Sequence, residues 1–466
     1  MGLNASPMAV AAARHPAMVD YGRYVNPGFV RLVGMLGYAR VFVRARGTRL
    51  WDHEGREYLD FLAGFGTMNL GHSHPRLVER LRTVLLDELP NVMHTAPQPL
   101  AAELARELAR RSGTDLEVAL LCSGGGEAVE AGLKLARAAT GRQPFLYCSR
   151  GFHGNSLGAL AVMGDRRYQR PFEPLLPECQ ALPFGDLEAL EQALRKRRPA
   201  AFVVEPLQAE GGVVLPPPGY LRGAQLLCQQ HGTLLILDEA QTGIGRTGTL
   251  FMYQQEGMVP DVLVLAKALG GGLMPTAVAL ARRELVERAY GSSERFDLHG
   301  TTMAGNALAC AAALETLRIV EDERLSENAA TQGAALLDGL RRRISTHPLV
   351  RAVRGRGLLV GIELGPNPET AGLLAKIAPG LVGALARNVL GQWLAVRLLE
   401  RGIVAQPTSH RWDVLRLEPP LCVTSDEIGR AIDAIAEILD EYRELAPLLK
   451  DVSQRLGGQL LSRWAR

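Results

Sequence analysis

Two residue types that can do chemistry together stand at the ends of two apolar runs. Leu234-Leu235-Ile236-Leu237 leads into Asp238-Glu239-Ala240-Gln241-Thr242-Gly243, and Val262-Leu263-Val264-Leu265-Ala266 leads into Lys267-Ala268-Leu269-Gly270-Gly271-Gly272. Apolar runs this short read as strands buried on both faces of a parallel sheet. A carboxylate and an amine are therefore each expected at the carboxyl end of a strand, the edge at which open α/β sheets bind ligands. A lysine among glycines and apolar residues is expected to lose basicity, which suits Schiff-base chemistry. Taken singly, a strand-end Asp usually caps a turn and a Lys usually lies in water; only the pair points to chemistry.

Other stretches repeat the pattern. Val118-Ala119-Leu120-Leu121, expected as a buried strand, runs into Cys122-Ser123-Gly124-Gly125-Gly126-Glu127 and then into a helical spacing of Ala128, Ala131, Leu133, Leu135 and Ala136. A strand, a glycine turn and a helix start present free backbone N–H groups to an anion, with the helix dipole in support. The spacing fits neither the dinucleotide fingerprint nor a P-loop. Pro144-Phe145-Leu146-Tyr147-Cys148 precedes Gly151-Phe152-His153-Gly154-Asn155-Ser156, and Ala201-Phe202-Val203-Val204 precedes Glu205 and Glu210.

The ordered run Asp238-Glu239-Ala240-Gln241-Thr242-Gly243-Ile244-Gly245-Arg246-Thr247-Gly248, followed by Ala266-Lys267-Ala268-Leu269-Gly270-Gly271-Gly272, resembles the core of class III (fold type I) pyridoxal-phosphate aminotransferases. The resemblance covers most of the chain and is nearest to the putrescine and ornithine branch. It implies an α/β fold with a mostly parallel central sheet flanked by helices, plus a smaller α+β domain drawn from both chain ends. It also implies pyridoxal 5′-phosphate linked to Lys267, with Asp238 facing the pyridine nitrogen and Gln241 at the ring hydroxyl. Phe152 would stack on the ring, beside His153 and Glu205. Gly124, Gly125 and Gly126 would hold the phosphate, joined by Thr302 from the second subunit of a homodimer. Arg416 matches the arginine that binds a substrate carboxylate, and Glu210 the acid that neutralises it. His72, in Asn69-Leu70-Gly71-His72, is expected to be a structural hydrogen-bonding residue.

The chain departs from the family in places. Gly124 and Gly126 stand where Ser and Thr are usual, so two hydroxyls are missing and weaker phosphate retention is expected, at about 1.5–3 kcal/mol for each lost bond to a charged group. Met303, Ala304 and Ala307 replace an aromatic, Gly and Pro. Residues 370–399 form an apolar stretch longer than the family's, expected as packing or a dimer contact, or as a lid for an apolar or carrier-bound substrate. The implied reaction is transamination between a primary amine (putrescine, cadaverine or an ornithine-like compound) and the 2-oxoglutarate/glutamate couple. The alternative is a biosynthetic aminotransferase acting on an apolar aldehyde or a carrier-protein-bound acyl group.

The positioning elements follow from the pattern. Residues 1–75 are expected to give an arm of about twenty mobile residues and part of the small domain, with an antiparallel meander through Val41–Ala45, Leu50–Asp52 and Glu57–Leu62. Residues 76–345 form the large domain and 346–466 the C-terminal small domain, with one strand-like stretch over Val353–Glu363, another over Val414–Pro420 and a helix over Ile428–Leu439. The 466 residues are 47% hydrophobic and 22% charged, with a net charge of +3. That balance is ordinary for a globular protein and gives no reason to expect nucleic acid. Six scattered cysteines argue against a disulfide framework or a metal site and fit a reducing cytoplasm. No apolar stretch is long enough for a membrane span. Met1–Ser6 matches the loose N-myristoylation pattern.

Overall fold

The computed structural model describes residues 15–35, 37–365, 389–443, 448 and 451. The Met1–Ser6 pattern lies outside them. The expected mobile arm is corrected where it is described: Pro16–Tyr24 (α1) and Pro27–Met35 (α2) are helices. Each opens on a proline, whose fixed φ suits a first turn and whose missing N–H is not needed there. The meander follows as β1 (Phe42–Arg46), β2 (Arg49–Asp52) and β3 (Glu57–Asp60), paired antiparallel in order. Helices α3 (Pro75–Leu86) and α4 (Pro99–Ser112) bury Leu77 and Val84, and Leu100, Leu104 and Leu108, the residues their three- and four-residue spacing selects.

The central sheet contains β4 (Leu116–Cys122), β5 (Phe145–Cys148), β6 (Cys179–Leu182), β7 (Ala201–Val204), β8 (Leu234–Asp238), β9 (Val262–Leu265) and β10 (Ala277–Arg282), in the order β4-β10-β9-β8-β7-β5-β6. All run parallel except β10, which is antiparallel to both of its neighbours. Strands β5, β7 and β9 are buried at every residue, because helices cover both faces. Strand β4 corrects the expectation of a buried strand. It lies at the sheet's edge, and Val118–Leu121 are only half-buried in the single chain. Helix α5 (Gly125–Thr140) follows it and packs Ala131, Leu135 and Ala136 against the sheet.

Beyond α6 (Ala307–Asp322) and α7 (Leu325–Ile344) the chain forms a second sheet. The single stretch expected over Val353–Glu363 is in fact a hairpin, β11 (Val350–Arg356) and β12 (Leu359–Leu364). Gly357, at φ +55, supplies the turn, a conformation that a β-branched residue would resist. Strands β13 (Ile403–Val404), β14 (Gln406–Pro407) and β15 (Val414–Leu417) complete two sheets, β11-β12-β15-β14 and β1-β2-β3-β13. The second sheet joins the two ends of the chain, because β13 runs parallel to β3. Residues 370–388 of the apolar insertion lie outside the described residues. Its later part, helix α8 (Gly391–Glu400), packs into the core with Trp393, Leu394 and Leu398 fully or almost fully buried. Helix α9 (Ser425–Asp440) closes the chain under a Thr424–Glu427 capping box.

Candidate active site

Strands β4, β5, β7, β8 and β9 point the same way, so their carboxyl ends share one edge of the sheet. That edge receives Ser123–Gly126 from β4, Phe152 and His153 from β5, Glu205 and Glu210 from β7, Asp238 from β8 and Lys267 from β9. Gly125, Gly126, Phe152, His153, Glu205, Glu210, Asp238, Gln241 and Lys267 together line a cleft of about 620 Å³. Strand alternation decides which acid faces it. Asp238 points into the cleft, whereas Glu239 points away and accepts the N–H groups of Met252 (2.6 Å) and Tyr253 (2.7 Å).

Asp238 is held on both oxygens. Its Oδ1 accepts the Ala240 N–H (3.0 Å), and its Oδ2 lies 2.8 Å from His153 Nδ1. Burial lowers the basicity of His153, but the hydrogen bond and charge of Asp238, with the charge of Glu205, outweigh it and raise its pKa. Glu205 accepts the N–H groups of Phe152 (2.8 Å) and Ala209 (3.3 Å), and burial pushes its carboxyl up to about 7. Lys267 has φ +48, in the left-handed region that L-residues rarely occupy, and such strain gathers at functional sites. Burial holds its amine below the ordinary lysine value, against the opposing pull of Glu210 and Glu418. Its Nζ donates to Gln241 Oε1, and Gln241 Nε2 donates in turn to both oxygens of Glu418 (3.1 and 3.0 Å).

Arg416, on β15, has no exposed surface and lies behind Glu210 rather than on the cleft wall. Its Nη1 donates to Glu210 Oε1, while Glu210 Oε2 accepts the N–H (2.9 Å) and hydroxyl (2.6 Å) of Ser409. Burial pushes the Glu210 carboxyl up, but the charges of Arg416 and Lys267 and the Ser409 donors prevail and hold it at about 2. Phe65 covers Arg416, with the guanidinium carbon 4.9 Å from the ring centroid. Phe65 gets there through a left-handed turn in which Ala63, Gly64, Phe65 and Gly66 all have positive φ.

The expected residues are therefore gathered, with three qualifications of place. Gly124 caps α5 from just outside the cleft lining. Thr302 is exposed and away from this chain's own cleft. Phe152 is half-buried and meets Tyr168 edge-on (6.4 Å) and His410 at a tilt (5.9 Å), so it is not plain core. His72 Nε2 pairs with Asp60 Oδ2 at 2.7 Å, tying down the turn before α3. Glu418, Arg246, Ser409 and Phe65 complete the site without having been picked out. Glu418 could have been found, since a residue two places past Arg416 on an extended chain faces the same side. Phe65 and Ser409 carry no such signal.

The cleft fits a pyridoxal-phosphate group. No side chain caps α5, and Gly125 and Gly126 leave its first-turn N–H groups available to a phosphate. At Gly154 a Cβ would come within 2.6 Å of Gly126 Cα, so glycine keeps this wall back from the opening. Asp238 supplies a carboxylate for a protonated ring nitrogen and Lys267 an amine for the aldehyde carbon.

The comparisons agree with this geometry. A curated relative, aminotransferase PigE of Serratia sp. (strain ATCC 39006), is 35% identical over 458 residues, 92% of this chain and 54% of the relative. This chain thus spans about half the length of that curated relative. An ornithine aminotransferase from Toxoplasma gondii ME49 superposes with a TM-score of 0.79 at 31% identity, over 91% of this chain and 94% of that one. Another crystal structure of the Toxoplasma gondii enzyme has PLP in partial occupancy at its active site. An (S)-enantioselective omega-transaminase from Thermomicrobium roseum gives 0.81 at 32% identity, over 91% and 97% of the two chains. The family model Aminotransferase class-III matches residues 35–439, and by that match this chain belongs to the class-III aminotransferases, enzymes that use pyridoxal 5′-phosphate.

Proposed function

We propose that the protein transfers an amino group from a primary ω-amine, a diamine or ornithine-like compound, to 2-oxoglutarate. When bound, the cofactor supplies the electron sink that stabilises a carbanion next to nitrogen. The protein's own residues do the rest. Asp238, fixed by Ala240 and His153, would present its carboxyl group to the ring nitrogen. Lys267 Nζ, its basicity lowered by burial, gives up a proton more readily than an ordinary lysine and can carry one to and from the reacting carbon. The first-turn N–H groups at Gly125 and Gly126 would hold the phosphate, and Phe152 would lie against the ring.

The observation that carries this reading is the buried pair of Arg416 and Glu210. A guanidinium aimed at the site but already neutralised suits an enzyme that must bind one substrate with an α-carboxylate and another without. With the amine bound, Glu210 stays on Arg416; with the 2-oxo acid bound, the substrate's carboxylate takes its place. A donor screen against 2-oxoglutarate and pyruvate tests the assignment directly. Diamines should outrun α-amino acids, and Glu210→Ala should let α-amino acids compete far better. Unchanged donor preference in that variant rejects the exchange.

Thr302 is assigned to the partner subunit's phosphate in a homodimer. Supporting this, it lies on an exposed segment with Phe296 (71% exposed), Leu298 (54%) and Met303 (51%), apolar side chains that a subunit interface would bury. A second reading, amination of an apolar aldehyde or a carrier-bound acyl group, draws support from Tyr168 and His410 packed beside Phe152, which leave the entrance aromatic. An aldehyde panel with glutamate as donor separates the two.

A further inference from the structure

Glu418 is the buried acid that the reaction as described leaves unused. It has no exposed surface and is surrounded by Arg416 (Nε to Oε2, 3.4 Å), Arg246 (Nε to Oε1, 3.9 Å) and the Gln241 amide, with Gly66 against its carboxyl group. A Cβ at Gly66, which has φ +77, would come within 2.4 Å of Glu418 Oε1, so glycine at this left-handed turn leaves the room that the carboxylate occupies. Arg246 is fixed from its other side by the Leu358 carbonyl (2.9 Å) and by Asn69. The acid is thus clamped on three sides.

A clamped carboxylate determines the orientation of a neighbouring amide. Burial pushes the Glu418 carboxyl up, but the Arg416 and Arg246 guanidiniums against it favour the carboxylate; with both oxygens accepting, the Gln241 atom 3.0 and 3.1 Å from them is the NH₂ nitrogen, and the amide oxygen faces Lys267. We propose that Glu418 is a positioning residue that fixes the Gln241 amide with its oxygen toward Lys267 Nζ, so that the proton is retained on that nitrogen when the cofactor is bound. This rests on the assignment of Lys267 as the cofactor-linked residue. An acceptor at that nitrogen favours its protonated form. A freed Gln241 could turn its NH₂ inward and favour the unprotonated form. The charged groups around Lys267 are Glu210, Glu418, Arg416 and Asp238, so charge alone is the competing explanation.

The test is a pH titration of the bound cofactor's visible absorbance in the holoenzyme. Glu418→Asp keeps the charge but withdraws the oxygens by one methylene. It should lower the midpoint by roughly one pH unit or more, the size that loss of one charge-assisted hydrogen bond gives. In a Gln241→Leu background the same substitution should shift the midpoint by less than half as much, because the amide that transmits it is gone. Glu418→Gln, which retains one acceptor oxygen, is the second variant should the aspartate fail to fold, and it is read in the same two backgrounds. A midpoint unmoved by Glu418→Asp, or a shift equally large without Gln241, overturns the proposal. Loss of the visible band on Lys267→Ala alone, with bands of ordinary intensity in the Glu418 variants, keeps the Lys267 assignment intact in either case. If no band forms in the parent protein, the Lys267 assignment fails instead.

Discussion

The site has two halves built in different ways. On the sheet side, Asp238, Lys267 and Glu205 stand at the ends of buried parallel strands and the glycine turn at the end of the edge strand β4, and the sheet brings them to one edge without further instruction. On the opposite side, Phe65 and Gly66, Arg246, Glu418 and Ser409 come from four separate stretches and meet only in the folded chain. Each half carries charge in its own manner. The sheet side presents groups to the cleft, whereas the closing side buries two guanidiniums around Glu418 and reaches across to Glu210 of the sheet side through Arg416. On the proposed reading, chemistry belongs to the first half and discrimination between substrates to the second.

Breaking each half separately tests that division. The largest effect is expected from Lys267→Ala, which should cut turnover at least about a thousandfold, the loss of both a nucleophile and a proton carrier, while the fold melts nearly as before. Turnover assays and a thermal melt on the same sample check this. Arg416→Ala should do the reverse to stability. It leaves Glu210 and Glu418 buried beside a single guanidinium, at a cost of about 3–5 kcal/mol, read by denaturant unfolding. A neutral, well-filled Arg416→Met should recover much of that stability but not the use of 2-oxo acids.

A smaller effect concerns pH. The folded-state pKa of Glu210 lies below its unfolded value of 4.5, at about 2. The stabilisation it contributes is therefore fully present above pH 4.5 and is lost as the pH falls toward 2. The acid limb of a stability–pH curve should flatten over that window in Glu210→Gln relative to the parent protein. The smallest effect belongs to the phosphate turn. A Cβ at Gly124 meets nothing within 4 Å, and one at Gly126 only ordinary contacts, so neither glycine is required by space. Gly124→Ser should restore a hydroxyl and slow cofactor loss on dialysis by about tenfold, the effect of one hydrogen bond to a charged group. Unchanged retention would mean that backbone N–H groups and water already satisfy the phosphate.

Legibility divides along the same line. Asp238 and Lys267 could be read because a strand buried on both faces is a continuous apolar run, and the first polar residue after it must leave the core. The hairpin turn at Gly357 was read as continuous strand because Arg356 before it is no turn former and the apolar run Leu358-Leu359-Val360 follows at once. The edge position of β4 escaped because an apolar run of its length looks the same at the edge or in the centre. Helices α1 and α2 were missed because their prolines look like breakers unless they are placed at a first turn.

By itself the sequence determined the order of strand and turn, the types of group at each strand end and the class of chemistry they permit. These depend on local alternation and on the removal of apolar runs from water, which neighbouring residues specify. Only the tertiary structure decided that Glu418 lies against Gln241, that Ser409 holds Glu210 and that a left-handed turn sets Phe65 over Arg416. Such contacts join residues hundreds of positions apart, and their strength depends on burial and exact distance, which no local pattern encodes.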